Sequence, residues 1–266
     1  MKDLMRQKTC SIFRFFLWIN FFFVFLCNGQ QTEKTIALQK SIEELTKMIE
    51  TESNYDNYFL RGTYYFTLGQ LAEAQTDMNS CLEINPQAEE PLCYLGMIET
   101  KKKQFTKAIH YFNSFIEVKP NSYLGHLHRG YTYLQMNNWE KATTDIDFCL
   151  SLKPNDIDAL TYKGILWSQQ NKCKEAIVLF DKVLTQEKNN EMALENRAFC
   201  KASLGQNALS DFNQLCTIAP NNGQFFFNRA VYIINTKSKG DFCTDLKKAL
   251  SLGVIEAKEV LQNACK

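Results

Sequence analysis

The chain has 266 residues, of which 45% are apolar, 22% charged and 13% aromatic, and this balance excludes a wholly disordered protein. Five prolines and eleven glycines exclude a collagen-like or linker-rich architecture. The formal net charge is +1, and after residue 30 there are 26 basic and 28 acidic residues, which argues against a nucleic-acid-binding protein because such a protein needs a basic surface to displace counterions.

Residues 1–30 predict a targeting segment, either a signal peptide or an N-terminal membrane anchor. Four basic residues and one acidic residue precede a run of thirteen largely apolar residues, Phe15 to Cys27. This pattern is typical of a secretory signal, and a helix of that length rises only about 20 Å, which is short for a hydrocarbon core of roughly 30 Å. We therefore expect export with cleavage after Gly29 or Gln30.

Two alternatives to cleavage stay open. Residues 11–27 could remain as an uncleaved anchor, with Arg14 reaching the membrane interface. The run also resembles a bacterial lipoprotein signal, in which Cys27 would be lipidated, although Leu26 stands where that family has a small residue. All three readings place the rest of the chain outside the cytoplasm.

Residues 31–53 predict an N-terminal capping helix. Between Gln31 and Thr51 the apolar residues follow helical spacing. They are Ile36, Leu38, Ile42, Leu45 and Ile49. The helix would cover the apolar face of the next element.

The rest of the chain repeats with a period of 34 residues. Three residue types share this period: Gly62, Gly96, Gly130 and Gly164; Ala74, Ala108, Ala142 and Ala176; Pro86, Pro120 and Pro154. In the first unit the pattern predicts helices over 57–67 and 71–84, with Gly69 in the turn between them. Asn85-Pro86 ends the unit, because proline cannot continue a helix.

These units resemble tetratricopeptide repeats over about residues 55–250. The first unit carries the family pattern at Tyr58, Gly62, Tyr65, Ala74, Met78, Cys81 and Pro86. Lys188 replaces the proline of the fourth unit, the fifth unit is two residues shorter, and the sixth is degenerate. The resemblance is to bacterial envelope proteins of this type. It implies an all-α, right-handed superhelical solenoid of about six helical hairpins with a concave groove and a capping helix at each end.

The repeat period sets the expected domain boundaries. The array covers residues 54–253, with units at about 55–88, 89–122, 123–156, 157–190, 191–222 and 223–253. Residues 254–266 form a C-terminal capping helix, which a solenoid needs because its last repeat has no neighbour.

The resemblance also implies a binding surface, because the first helix of each unit lines the concave face in this family. The positions carried over to this chain are Phe59, Thr63, Phe66, Tyr94, Met97, His128, Tyr131, Tyr162, Ile165, Asn196, Phe199, Phe227 and Asn228. The Lys, Asn and Arg residues of the carboxylate-clamp subgroup are replaced by aromatic, Met or Leu side chains in the first three units. We therefore expect the groove to bind an extended peptide or a helix rather than a peptide C-terminus.

The cysteines and histidines give no catalytic or metal-binding motif. Eight of the ten cysteines follow residue 30, and none has Cys-x-x-Cys spacing. Cys81 and Cys149 are expected to be small buried apolar residues. Cys243 and Cys265 are the candidate disulfide, because the last helix must fold back on the hairpin that holds Cys243. His126 and His128 are expected to be surface or groove-lining side chains, since two helical residues this close in sequence point about 200° apart.

These observations predict a non-enzymatic scaffold or adaptor that binds a protein or peptide in the cell envelope or periplasm. No cofactor, metal or nucleic acid is expected, and membrane contact only through residues 1–30. One alternative is a structural, self-associating subunit of an envelope complex. Another is a thiol redox role, which requires an accessible thiol of lowered pKa.

Overall fold

The computed structural model describes residues 29–265, and side chains from residue 35 onward. Residues 1–28 of the predicted targeting segment, including Cys27, lie outside the described residues. The described part consists of helices joined by short turns and contains no strand. The helices are α1 (Gly29–Thr51), α2 (Tyr55–Thr67), α3 (Leu71–Ile84), α4 (Glu89–Lys101), α5 (Phe105–Val118), α6 (Tyr123–Gln135), α7 (Trp139–Leu152), α8 (Ile157–Gln169), α9 (Cys173–Gln186), α10 (Glu191–Ser203), α11 (Leu209–Ile218), α12 (Gly223–Thr236), α13 (Phe242–Ser251) and α14 (Glu256–Ala264).

The helices divide into two compact units. Residues 33–215 form the larger unit, and residues 216–265 form the body of the smaller one. In the larger unit, α2–α3, α4–α5, α6–α7 and α8–α9 pack as hairpins. Each second helix also contacts the first helix of the next hairpin, so that each repeat buries the apolar face of the repeat before it.

The first helices of the larger unit form a continuous row. Contacts join α2 to α4, α4 to α6, α6 to α8, and α8 to α10. The surface of these five helices is called the first-helix face below. It holds most of the residues that the sequence assigns to a groove.

Turn chemistry repeats with the same period as the helices. In the larger unit, a residue in the turn between the two helices of each repeat has φ between 56° and 75°, in the left-handed region. These residues are Gly69, Lys103, Asn137, Asn171 and Gly205. Glycine and asparagine tolerate this region better than other residues. Most first helices also begin with a side-chain cap, from Asn54, Ser122, Asp156 and Asn190 in the larger unit.

The repeated small residues lie where the two helices of a hairpin approach most closely. All four repeated alanines are fully buried. A Cβ atom added to Gly96 would lie 2.5 Å from the Phe112 ring, and one added to Gly164 would lie 2.6 Å from the Phe180 ring. Large side chains of the second helix therefore occupy the space that the glycines leave. Cys81 and Cys149 are also fully buried, as expected of small apolar residues.

The ends of the described chain contribute further helices. Ile42, Leu45 and Ile49 of α1 are buried, whereas Leu38 is partly exposed and Ile36 is exposed, so burial of the predicted apolar stripe increases along the helix. In the smaller unit, α12 and α13 form a hairpin against which α14 packs. A disulfide joins Cys243 of α13 to Cys265, with their Cα atoms 5.8 Å apart. Among the described helices, none combines the length and apolarity needed to cross a bilayer.

Candidate functional site

Aromatic rings connect neighbouring first helices at the start of the first-helix face. The ring of Tyr94 in α4 lies between Phe59 and Phe66 of α2, with centroid distances of 5.6 and 5.5 Å. Both contacts are edge-to-face, a geometry that the ring quadrupoles favour. All three side chains keep part of their surface exposed. They can pack together and still offer apolar area to a ligand.

A second aromatic contact lies further along the first-helix face. The rings of Tyr131 in α6 and Tyr162 in α8 are 4.9 Å apart. Burial raises the pKa of Tyr131 to about 12 and raises that of Tyr162 as well, so both hydroxyls stay protonated at neutral pH. His128 stacks on Phe112 at 6.1 Å, and burial lowers its pKa to about 4. The side chains of His128, Tyr131 and Tyr162 are therefore uncharged near pH 7.

The polar and aliphatic positions around these rings are mostly held by local contacts. Thr63 donates to the carbonyl of Leu60 at 2.8 Å, and the Asn196 amide donates to the carbonyl of Met192 at 2.8 Å. Both side chains are partly exposed. Met97, which packs against a cluster that includes Phe112, is also partly exposed, and so is Phe199, whose ring lies 5.8 Å from that of Phe212.

Three of the predicted groove residues do not contribute surface to the first-helix face. Ile165 is 4% exposed and belongs to the core. Phe227 is 8% exposed, packs with Ala230 and Leu246, and lies in the smaller unit. Asn228 also lies in the smaller unit, where it accepts a hydrogen bond from Gln224 at 2.9 Å. Counting positions along a first helix does not give the depth to which a side chain is buried.

Buried ion pairs connect the two helices of several hairpins, a feature that the sequence analysis missed. In each pair an arginine of the first helix meets a buried aspartate of the second through two hydrogen bonds. The pairs are Arg61–Asp77, Arg129–Asp145, Arg197–Asp211 and Arg229–Asp245. A sequence signal existed, because each arginine directly precedes the small residue of its repeat and its aspartate follows 14 or 16 positions later.

His126 belongs to this buried layer, and its expected place on the surface or in the groove is wrong. Its Nδ1 lies 2.8 Å from Asp145, and its Nε2 lies 3.0 Å from the carbonyl oxygen of Pro120. Its side chain is only 13% exposed. Asp145 thus binds two side chains of α6 at once. These contacts fix the rotation of α6 about its axis and so determine which of its side chains lie on the first-helix face.

Two further features of the described chain bear on the site: its possible metal ligands and a surface depression. No group of three or more His, Cys, Asp or Glu side chains in this part is placed to hold a metal ion. A shallow depression of about 420 Å³ lies between α9, α10 and α11, and its lining includes Asp181, Arg197 and Gln214. It shares no residue with the predicted groove.

Comparison with known proteins agrees with this architecture. Residues 55–88, which are α2 and α3 with the following loop, match the sequence family described as tetratricopeptide repeat. No curated protein matches the chain.

Solved structures give broader matches. A tetratricopeptide repeat protein from Parabacteroides merdae is 22% identical, with 86% of this chain and 95% of that one aligned at a TM-score of 0.68. PilF of Pseudomonas aeruginosa is 15% identical over 79% and 97% of the two chains, with a TM-score of 0.64. YrrB, described as a TPR protein with an unusual peptide-binding site, is 16% identical over 70% and 97%, with a TM-score of 0.50.

Proposed function

Since the chain has the all-α solenoid fold of the tetratricopeptide-repeat proteins, we propose that it is a non-enzymatic scaffold or adaptor that binds a protein partner on its first-helix face. The partner would contribute an extended peptide or an amphipathic helix. Such ligands place several side chains along a groove and so suit a surface built from successive helices.

The observation that carries this proposal is the set of aromatic contacts between neighbouring first helices. Phe59, Phe66 and Tyr94 form one group, and Tyr131 with Tyr162 forms another. Aromatic side chains supply large contact area and lose little rotamer entropy on binding, which is why they dominate binding hot spots. The unusual peptide-binding site of YrrB is consistent with such a role for this fold.

The charge distribution favours binding of an apolar peptide segment over binding of the carboxylate at a peptide C-terminus. The arginines of the buried pairs are committed to aspartates. Lys101 lies 5.1 Å from the centroid of the Phe66 ring, and burial lowers its pKa. Affinity would come chiefly from burying apolar area, with Thr63 and Asn196 at the margins.

Export is part of the proposal and has two supports. Residues 1–27 carry the pattern of a secretory signal, and the disulfide of Cys243 and Cys265 suits an oxidising compartment such as the periplasm. Membrane contact would then involve only residues 1–30.

A peptide-binding measurement tests the proposal. Peptides selected from a random display library against the full chain would be titrated against wild type and against a variant with Phe59→Ala and Tyr94→Ala. The matched control carries Val118→Ala and Leu152→Ala, which remove two half-exposed apolar side chains from the ends of second helices. We expect a loss of affinity of about tenfold or more in the first variant and less than about twofold in the control.

Two checks make the result decisive. Circular dichroism must show equal helicity in all three proteins, so that lost binding is not lost folding. Equal affinity of the two variants would place the site away from the first-helix face. The self-associating structural role would be favoured by two results together: a molecular mass, measured by light scattering, that rises with protein concentration, and a display selection that yields no binding peptide.

A further inference from the structure

Two cysteines and a serine meet where the fourth hairpin contacts the next first helix. Cys173 is the first residue of α9, and Cys200 lies in α10. Ser203 lies one helical turn after Cys200 in α10. The Ser203 hydroxyl lies 3.4 Å from Cys173 Sγ and 2.8 Å from the carbonyl oxygen of Cys200. Cys173 Sγ therefore lies against the turn of α10 that carries Cys200 and Ser203, across a repeat boundary.

The two thiols differ in access and in acidity. Cys173 is partly exposed, whereas Cys200 is 2% exposed. The hydrogen bond from Cys200, with a smaller contribution from Ser203, lowers the pKa of Cys173 to about 6 against the opposing effects of burial and of Glu175. The same contact and burial raise the pKa of Cys200. One sulfur is suited to attack an incoming reagent, and the other is shielded beside it.

The remaining free cysteines of the described chain lack these features. Cys81, Cys93, Cys149 and Cys216 are buried, and burial raises the pKa of each to about 12. Such thiols are poor nucleophiles and are inaccessible to a reagent. Reactivity should therefore concentrate at one position of the larger unit.

We propose that Cys173 and Cys200 are a redox-sensitive thiol pair that closes to a disulfide between the fourth hairpin and α10, with Cys173 as the sulfur that reacts first. The oxidant is a low-molecular-weight disulfide or a disulfide-bearing protein. This modification site is separate from the proposed binding surface, although it would fix the repeat boundary that underlies Asn196 and Phe199.

The exchange takes place in two steps. The thiolate of Cys173 attacks one sulfur of the oxidant, and the other half of the oxidant leaves as a thiolate that takes up a proton. Cys200 then loses its proton and attacks the Cys173 sulfur, which releases the second half as a thiol. Two protein thiols are oxidised by two electrons, and the oxidant is reduced to two thiols.

The test treats the reduced full chain with glutathione disulfide, blocks the remaining thiols with N-ethylmaleimide and maps the peptides by mass spectrometry. In wild type we expect a Cys173–Cys200 disulfide and no lasting glutathione adduct on Cys173. The Cys200→Ser variant should accumulate glutathione on Cys173, because the resolving thiol is missing. The Cys173→Ser variant should give neither product at Cys200, because that sulfur is shielded.

Matched controls separate this chemistry from partial unfolding. Cys149→Ser removes a buried thiol and should leave the Cys173–Cys200 product unchanged, and circular dichroism must show equal helicity in every variant. The proposal is overturned if wild type retains a stable adduct on Cys173 without closing the disulfide. It is also overturned if Cys173 stays unmodified, or if Cys200 reacts at the wild-type rate in the Cys173→Ser variant.

Discussion

The third hairpin, α6–α7, and the last hairpin, α12–α13, use the same buried ion pair in different surroundings. Arg129 pairs with Asp145 and Arg229 with Asp245, each sixteen residues apart. The second helix has 14 residues in the third hairpin but 10 in the last. The last hairpin has in addition a disulfide from α13 to Cys265, beyond α14. The pair thus persists where the repeat pattern degenerates, and a covalent link accompanies the shortened helix.

Removing the aspartate should have the largest effect, and the effect should be greater in the third hairpin. Asp145→Ala leaves Arg129 and the His126 ring without their shared acceptor in a largely buried site. We expect a loss of about 3–5 kcal/mol in the free energy of unfolding, measured by urea denaturation. Asp245→Ala should cost less, because no histidine shares that carboxylate in the contacts of the last hairpin. Equal losses would remove the difference that we assign to His126.

Removing the disulfide should affect the last hairpin. The bond closes a loop of 22 residues, so Cys243→Ser with Cys265→Ser should cost roughly 2–4 kcal/mol, chiefly through a freer unfolded chain. Hydrogen exchange should show faster opening in α13 and α14 and unchanged protection in α6 and α7. The double variant Cys173→Ser, Cys200→Ser serves as the control. Faster exchange throughout the third hairpin as well would contradict a local role for the bond.

Acid should weaken the third hairpin before it weakens the last. Burial lowers the pKa of His128 from 6.5 to about 4, so the folded state binds fewer protons than the unfolded state between these values. The contribution of neutral His128 to the free energy of unfolding is therefore fully present above pH 6.5. It falls as the pH drops toward 4, by about 1–2 kcal/mol at pH 5. Urea unfolding at pH 7 and pH 5 measures the change. His128→Gln should reduce this pH dependence, and His110→Gln, at an exposed position, should not.

An alanine at the small position should have the smallest effect. The third hairpin has Gly130 where the last has Ala230. A Cβ added to Gly130 would lie 3.1 Å from Asp145 Cβ and 3.2 Å from Ile146 Cγ1, a tight contact that a small shift relieves. Because alanine also favours the helix, Gly130→Ala should change the free energy of unfolding by less than about 1 kcal/mol. Gly130→Leu should instead lower it by roughly 1–3 kcal/mol, and an unchanged melting temperature there would refute the repeat phase.

The repeat pattern predicts the helical hairpins well because the same physical constraints recur every 34 residues. The helix Leu71–Ile84 begins and ends as its turn and proline predict. Its partner begins two residues earlier than the predicted 57, because the Asn54 side chain caps it. The N-terminal helix is less well predicted, since exposed Ile36 looks the same in sequence as buried Ile42.

The candidate site is less predictable, because side-chain depth and contacts between repeats depend on the assembled structure. Ile165 lies on a first helix, as a groove residue should, but is buried by its neighbours. The Arg129–Asp145 pair joins residues on opposite sides of a turn, so only the recurrence of such a pair in several repeats could have revealed it. Cys173 and Cys200 are 27 positions apart in different repeats and match no short motif. A redox role requires an accessible thiol of lowered pKa, but the sequence does not show which cysteine supplies it.

The most direct test of the central claim is site-specific photocrosslinking with a peptide selected on the full chain. A photoreactive residue would replace Thr63 or Asn196 on the first-helix face, or Val118 or Leu152 at the ends of second helices, one position at a time. The proposed function predicts covalent peptide adducts from the first two positions and little from the other two. Adducts chiefly from Val118 and Leu152 would contradict binding on the first-helix face.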